Sequence, residues 1–222
     1  MEPILRYIDN LDWITILIFS SLLFFVIAKN IFYKRFLNFI VLPFNNKYIF
    51  MYNKKKKLMN WFHLFFTIFQ TINFALFIFL SWRALSIANN SSVGSYMYIV
   101  VLGALILFLL FKVFLQLGNG FIFGSNKVIS ELIFKKMSYL NYSGIIMFLS
   151  NIVLTYVLKD SEVVIYTTIL LIFVVNAIGW ATLLANHQKY IARNFIYFIL
   201  YLCALEIAPF VIIGSYLNDW SL

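Results

Sequence analysis

The sequence predicts an all-α polytopic membrane bundle of about six transmembrane helices with both termini on the outer side. Three observations predict it. Of the 222 residues, 64% are hydrophobic and only 11% charged, where a soluble domain carries about 25% charged residues. The mean hydropathy is +0.93, and the apolar residues fall in long continuous runs rather than in the alternating pattern of a membrane barrel strand. Basic and acidic residues segregate between alternate linkers. These features exclude a soluble enzyme, a nucleic-acid-binding module and a secreted disulfide scaffold.

A hydrocarbon core of about 30 Å asks for roughly 20 mostly apolar residues per helix. Six segments qualify, at 12–28, 60–82, 96–117, 139–158, 163–186 and 194–216, so that residues 1–222 form one transmembrane domain. The first is the shortest, extended by snorkelling of Lys29. It opens on Met1-Glu2-Pro3 with Asp9 and Asp12 ahead of the apolar run. A cleavable signal peptide begins with basic residues and ends at small ones, so this span is expected to stay in the protein.

Direction follows from charge. Of the 17 basic residues, thirteen lie in the linkers after spans one, three and five: Lys29, Lys34, Arg35, Lys47 and Lys54 to Lys57, then Lys127, Lys135 and Lys136, then Lys189 and Arg193. The acids Glu2, Asp9, Asp12, Asp160, Glu162 and Asp219 fall on the other side. Lysine and arginine are retained on the cytoplasmic face, which turns both termini outward. The net charge of +9 is therefore read as topology, not as a nucleic-acid footprint.

The long first linker, 30–59, mixes Phe, Tyr and Ile with cations around Pro43. It is expected to lie in the headgroup layer, aromatics down and lysines up. The run Lys54, Lys55, Lys56, Lys57 suits anionic lipid headgroups or a cytoplasmic partner. Residues 126–137 read as a separate short interfacial helix started by Asn126. The Gly118-Asn119-Gly120 and Gly124 cluster lacks the strand and the Gly-Lys-Ser/Thr ending of a phosphate loop; its glycines suit a tight exit from span three.

No catalytic constellation emerges. Ser143 in Tyr142-Ser143-Gly144 has no base within reach by topology, and a nucleophile needs one at hydrogen-bond distance. His63 and His187 fall near the cytoplasmic ends of spans two and five. Two facing histidines are a b-type haem ligand set, but at these positions the expected role is that of interfacial residues. The lone Cys203 defines neither a disulfide nor a metal site. No enzyme activity, metal or cofactor is expected.

The informative feature is a layer of polar residues near the span centres: Asn73, Asn151, Asn176 and Glu206, with Gln70 and Thr155 one turn from the first two. An ionisable group costs on the order of 2.5–3.5 kcal/mol at the midplane, so such residues face other helices, and Glu206 is the only acid this deep. Lys112, about 9 Å toward the cytoplasmic side of the centre of span three, reaches toward Glu206 or snorkels to the headgroups. Pro209 frees the carbonyl of Leu205 and can break span six beside Glu206. Two roles fit this layer. It holds the bundle together by interhelical hydrogen bonds, or Glu206 exchanges a proton in a carrier whose path Asn73, Asn151 and Asn176 line.

The stretch Phe198-Ile-Leu-Tyr-Leu-Cys-Ala-Leu-Glu-Ile-Ala-Pro-Phe210 resembles the closing helix of an integral membrane family of the Bacteroidota catalogued as domain of unknown function 4271. The likeness extends to Lys112, the Gly118–Gly124 turn and the span order. It implies a protein of the bacterial inner membrane, in which the multi-pass chain with outward-facing termini read from the charges has both termini periplasmic, and it marks Glu206 and Pro209; it implies no reaction. The function expected is that of a non-catalytic subunit or scaffold of an inner-membrane assembly serving envelope transport or protein secretion. Its expected partners are lipids and other membrane subunits, with no nucleic acid. The alternative is a small proton-coupled transporter using Glu206.

Overall fold

A computed structural model describes residues 12–45, 47–53, 61–88, 96–122 and 126–186. All regular structure among them is helical: α1 (Asp12–Ile31), α2 (Tyr33–Ile40), α3 (Lys47–Asn53), α4 (Trp61–Ala88), α5 (Tyr96–Ile122), α6 (Asn126–Ile152) and α7 (Glu162–Asn186). Five of them, α1, α4, α5, α6 and α7, are long and apolar enough to cross a membrane. The expected sixth span, 194–216, lies outside the described residues.

The helix α1 carries Asp12 in its first turn and Lys29 in its last, the arrangement its macrodipole favours. Its buried positions, Ile14, Ile18, Ser21 and Ala28, form one stripe at helical spacing, laid against α4. Small Ser21 and Ala28 let the backbones approach, which matters in lipid, where packing rather than water exclusion holds helices together. The α4 helix is the centre of the bundle, touching α1, α5, α6 and α7. Its rings Phe62, Phe66, Phe69, Phe77 and Phe79 are all buried.

Two apolar cores follow. Toward the N-terminal end of α1, Ile14 and Ile18 meet Leu76, Phe79, Leu80, Tyr98, Leu154 and Ile165. At the lysine-rich side an aromatic core gathers Phe36, Phe39, Tyr48, Phe62, Phe66, Phe69, Phe134 and Tyr139, with Phe39 4.6 Å from Phe66 between ring centres. By contrast α5 turns Ile99, Val100, Leu107, Leu110, Phe111 and Phe114 outward, as lipid permits.

Three expectations are corrected. Within the linker 30–59, the described residues 30–45 and 47–53 do not lie flat with all their rings in lipid. Arg35, Phe36 and Phe39 form the inner face of α2, and Leu42, Tyr48 and Ile49 are buried with them. The α2–α3 hairpin, turned at residues 41–44 around Pro43, is thus a lid docked on α4 and α6, because Phe62, Phe66 and Phe134 offer it a better-packed surface than acyl chains. Residues 126–137 are not a separate interfacial helix: α6 runs unbroken from Asn126 into the membrane, there being no glycine or proline in its first turns to stop it. Span three does not turn at Gly118 either, since α5 continues through Gly118 and Gly120 to Ile122.

The far end of α6 widens into a π turn over Val153–Val157, where Leu158 N donates to Val153 O at 2.8 Å. Tyr156 in this turn donates to Thr15 Oγ1 of α1 at 2.7 Å. Asp160, in the turn to α7, has φ 53°, a left-handed conformation that aspartate tolerates better than most residues. There it holds Arg83 of α4 at 3.3 Å.

Candidate functional site

The expected polar layer is present but divides into separate helix–helix ties. Asn73 and Asn151 are fully buried between α4 and α6. Asn151 Nδ2 donates to the Asn73 carbonyl at 2.9 Å and to Asn73 Oδ1 at 3.4 Å, while Asn73 Nδ2 donates to Phe69 O at 2.8 Å. Asn176 does not join them: its Nδ2 donates to Ser143 Oγ at 2.8 Å and to Ile172 O, linking α7 to α6. A second tie runs from Thr168 Oγ1 to Ser150 Oγ at 2.7 Å.

The α4–α6 seam is close because of Gly144. A methyl group there would stand 2.9 Å from Gln70 Cβ and 3.0 Å from its Cα. Ser143-Gly144 is thus a packing feature rather than a nucleophile motif. Gln70 is completely buried, and neither atom of its carboxamide is hydrogen-bonded; Asn151 Oδ1 and Thr155 Oγ1 on the same seam also have no partner.

Sequence reasoning missed a second polar cluster, at the lysine-rich end. Expected among headgroups, His63 is 1% exposed. Its Nε2 lies 3.2 Å from Tyr48 Oη and its Nδ1 3.5 Å from Asn141 Nδ2. Thr67 Oγ1 donates to Asn141 Oδ1 at 3.4 Å. In the tautomer with Nδ1 unprotonated, the Asn141 amide donates to Nδ1 and His63 Nε2–H is donated to Tyr48 Oη. Arg35 Nε also donates to Tyr48 Oη, at 3.2 Å. Both imidazole nitrogens are therefore engaged, which removes His63 from the haem reading; His187 lies outside the described residues.

Arg35 is 8% exposed, and its Nη2 is buried with no hydrogen-bond partner. Three rings stand in for a carboxylate: Tyr52 at 4.7 Å, Phe62 at 5.0 Å and Tyr48 at 5.7 Å from its central carbon, distances at which a ring quadrupole attracts a cation. Burial pushes the Tyr48 phenol up to about 12, against the pull of Arg35. The phenol is thus neutral at physiological pH, a bridge joining α2, α3 and α4. The one sequence signal for this cluster was the helical spacing of Arg35, Phe36 and Phe39, which puts cation and rings on one face.

Lys112 is half-buried on α5, its ammonium 5.6 Å from the Phe108 ring and beside that of Lys136 on α6. Lys136 in turn lies 5.2 Å from the Trp180 ring on α7. Glu206, Pro209 and Lys54, Lys55, Lys56 and Lys57 lie outside the described residues.

Fold and site together define a multi-pass α-helical membrane protein whose buried polar groups join helices. The chain belongs to the family described as domain of unknown function 4271, whose model matches residues 14–217. No curated protein and no solved structure matches it.

Proposed function

We propose that this protein is a non-catalytic integral subunit or scaffold of a bacterial inner-membrane assembly serving envelope transport or protein secretion. The observation that carries this reading is the pairing of Asn73 with Asn151. Deep polar groups of α4 and α6 bond each other across the seam between the two helices. The same holds for Asn176 on Ser143. A rigid bundle with the long apolar face of α5 turned outward suits a protein whose work is done through neighbours. Lysines on the α2–α3 side set that side in the cytoplasm by the positive-inside rule.

The test is a tag at the native locus, gentle solubilisation and quantitative mass spectrometry, with photo-cross-linkers at Leu107 and Leu110 of α5. A stoichiometric membrane partner cross-linked from α5 is the expected result. A monodisperse lone chain from native membranes contradicts it.

One observation favours a second reading, a proton-coupled carrier centred on Glu206. The carboxamide of Gln70, Asn151 Oδ1 and Thr155 Oγ1 lack partners on one seam, and unmet polar groups in lipid mark ion paths as well as glue. In that case Glu206→Gln inserts and folds normally but abolishes proton flux. Flux equal to that of the unmodified chain ends this reading.

A further inference from the structure

Arg35 carries a charge that no acid among the described residues neutralises. Its one hydrogen bond there runs from Nε to Tyr48 Oη, and the described ion pair is that of Arg83 with Asp160. Tyr52, Phe62 and Tyr48 attract the guanidinium, yet rings bear no net charge, and Nη2 is buried and unbonded. A guanidinium keeps its charge when enclosed. An enclosed charge with an unmet donor is more costly than a neutral group in the same state. An anion on the Nη edge removes that cost.

The depth of Arg35 says which anion. Phe62, whose ring is 5.0 Å from the guanidinium carbon, and Arg83 stand about 31 Å apart along α4, close to the thickness of a hydrocarbon core. Arg83 pairs with Asp160 at the outer end, so Phe62 marks the cytoplasmic boundary. Side chains lean toward the N-terminus of their helix, which carries the Phe62 ring further toward the cytoplasm. Phe32, directly after α1, meets that ring at 6.0 Å. Trp61 beside it is 69% exposed and is of the residue type enriched at the interface. Headgroups begin at this level. Tyr52, the ring nearest the guanidinium at 4.7 Å, is half-buried at the next-to-last position of α3, which gives the enclosure one movable wall.

We propose that Arg35 binds the headgroup phosphate of an anionic phospholipid in the cytoplasmic leaflet. Nη1 and Nη2 form an end-on fork that matches two phosphate oxygens, while Nε stays on Tyr48. Tyr52 turns aside to admit the phosphate, and Phe62 remains beneath the guanidinium. The lipid thereby fastens α2 and α3, through Arg35 and Tyr48, to the rim of the bilayer.

Two measurements test it. The first keeps Arg35 and its cage intact: Arg6→Lys, Arg83→Lys and Arg193→Lys together leave Arg35 the only arginine of the chain. This protein, isotope-labelled at arginine Cζ, is reconstituted in phosphatidylglycerol bilayers without inorganic phosphate. Rotational-echo double resonance then places Cζ about 4 Å from lipid phosphorus, as a paired guanidinium requires. No dephasing overturns the proposal. Dephasing of equal size in phosphorus-free detergent with millimolar inorganic phosphate reassigns the site to free phosphate and overturns it as well. The second is native mass spectrometry of the full chain with phosphatidylglycerol and phosphatidylcholine of identical acyl chains. The unmodified chain retains one phosphatidylglycerol with roughly fivefold preference, the effect of one arginine near an anionic surface. Arg35→Gln loses it, whereas Lys29→Gln, which removes the same charge from an exposed place on the same side, keeps it. Equal retention of the two lipids by the unmodified chain overturns the proposal, and so does a preference that survives Arg35→Gln. Loss of preference in Lys29→Gln reduces the effect to bulk charge and overturns it equally.

Discussion

At the residue scale, two glycines with the same backbone freedom separate packing from propensity. Gly144 faces the Gln70 backbone at 3.0 Å from an added methyl, whereas Gly103 of α5 has nothing within 4 Å. Gly144→Ala must push α4 away from α6, an overpacking cost of about 1–3 kcal/mol. Gly103→Ala only replaces a poor helix former and leaves stability unchanged or raised by up to about 1 kcal/mol. Denaturation of the two variants in detergent checks the contrast; equal behaviour would show that the seam is not close. Tyr48 gives a pH signature. Its phenol titrates near 12 in the fold against about 10 in an unfolded chain. The folded pKa is the higher, so this contribution to stability is complete below pH 10 and is lost as pH rises toward 12. The unmodified chain should therefore lose stability faster than Tyr48→Phe over that interval, as melting temperatures across pH 9–12 would reveal. Parallel curves would mean that the phenol is not enclosed.

At the element scale, the membrane helices were legible and the lid was not. Long apolar runs announce transmembrane helices because lipid forces backbone hydrogen bonds to close within the segment; α4 and α7 accordingly occupy the stretches where hydropathy placed them. The α2–α3 hairpin has the same composition whether it rests on lipid or on protein. What decides is the set of rings on α4 and α6 that receives it, and a linear reading does not reveal which faces those rings occupy. His63 was misjudged for the same reason, its depth being set by the lid that covers it. Asn73 and Asn151 were recognised as deep polar groups, yet that Asn176 joins Ser143 instead depends on how α7 crosses α6. The lid makes its own prediction. In a Cys203→Ser background, cysteine at Phe39 should react at least about tenfold more slowly with a charged maleimide than cysteine at Phe44, which is 90% exposed while Phe39 is 0% exposed. Comparable rates would return α2 to the membrane surface. Phe39→Ala should cost about 3–5 kcal/mol, less whatever acyl chains recover by filling the gap.

At the scale of the whole molecule, α4 and α6 form a spine on which the other helices are hung. α1 and the lid lean on α4, α7 is tied to α6 by Asn176 and Thr168, and Arg83 and Asp160 close the far end. That last pair is partly exposed, so its loss should cost no more than about 1 kcal/mol. In lipid the helices gain nothing from leaving water a second time, and specific contacts must select one arrangement among many. The seam does so with one pair of asparagines and one close glycine. The proposed subunit role depends on this rigidity, since a bundle that presents a fixed apolar face needs a fixed interior. The most direct measurement is the stability of Asn151→Leu, read by reversible unfolding in lipid–detergent micelles, because this change removes the bond to the Asn73 main-chain carbonyl as well as the one to its side chain. It should cost about 0.6–1.7 kcal/mol, the scale of interhelical hydrogen bonds in membranes. A variant as stable as the unmodified chain would contradict the account, because the deep asparagine would then be holding nothing together.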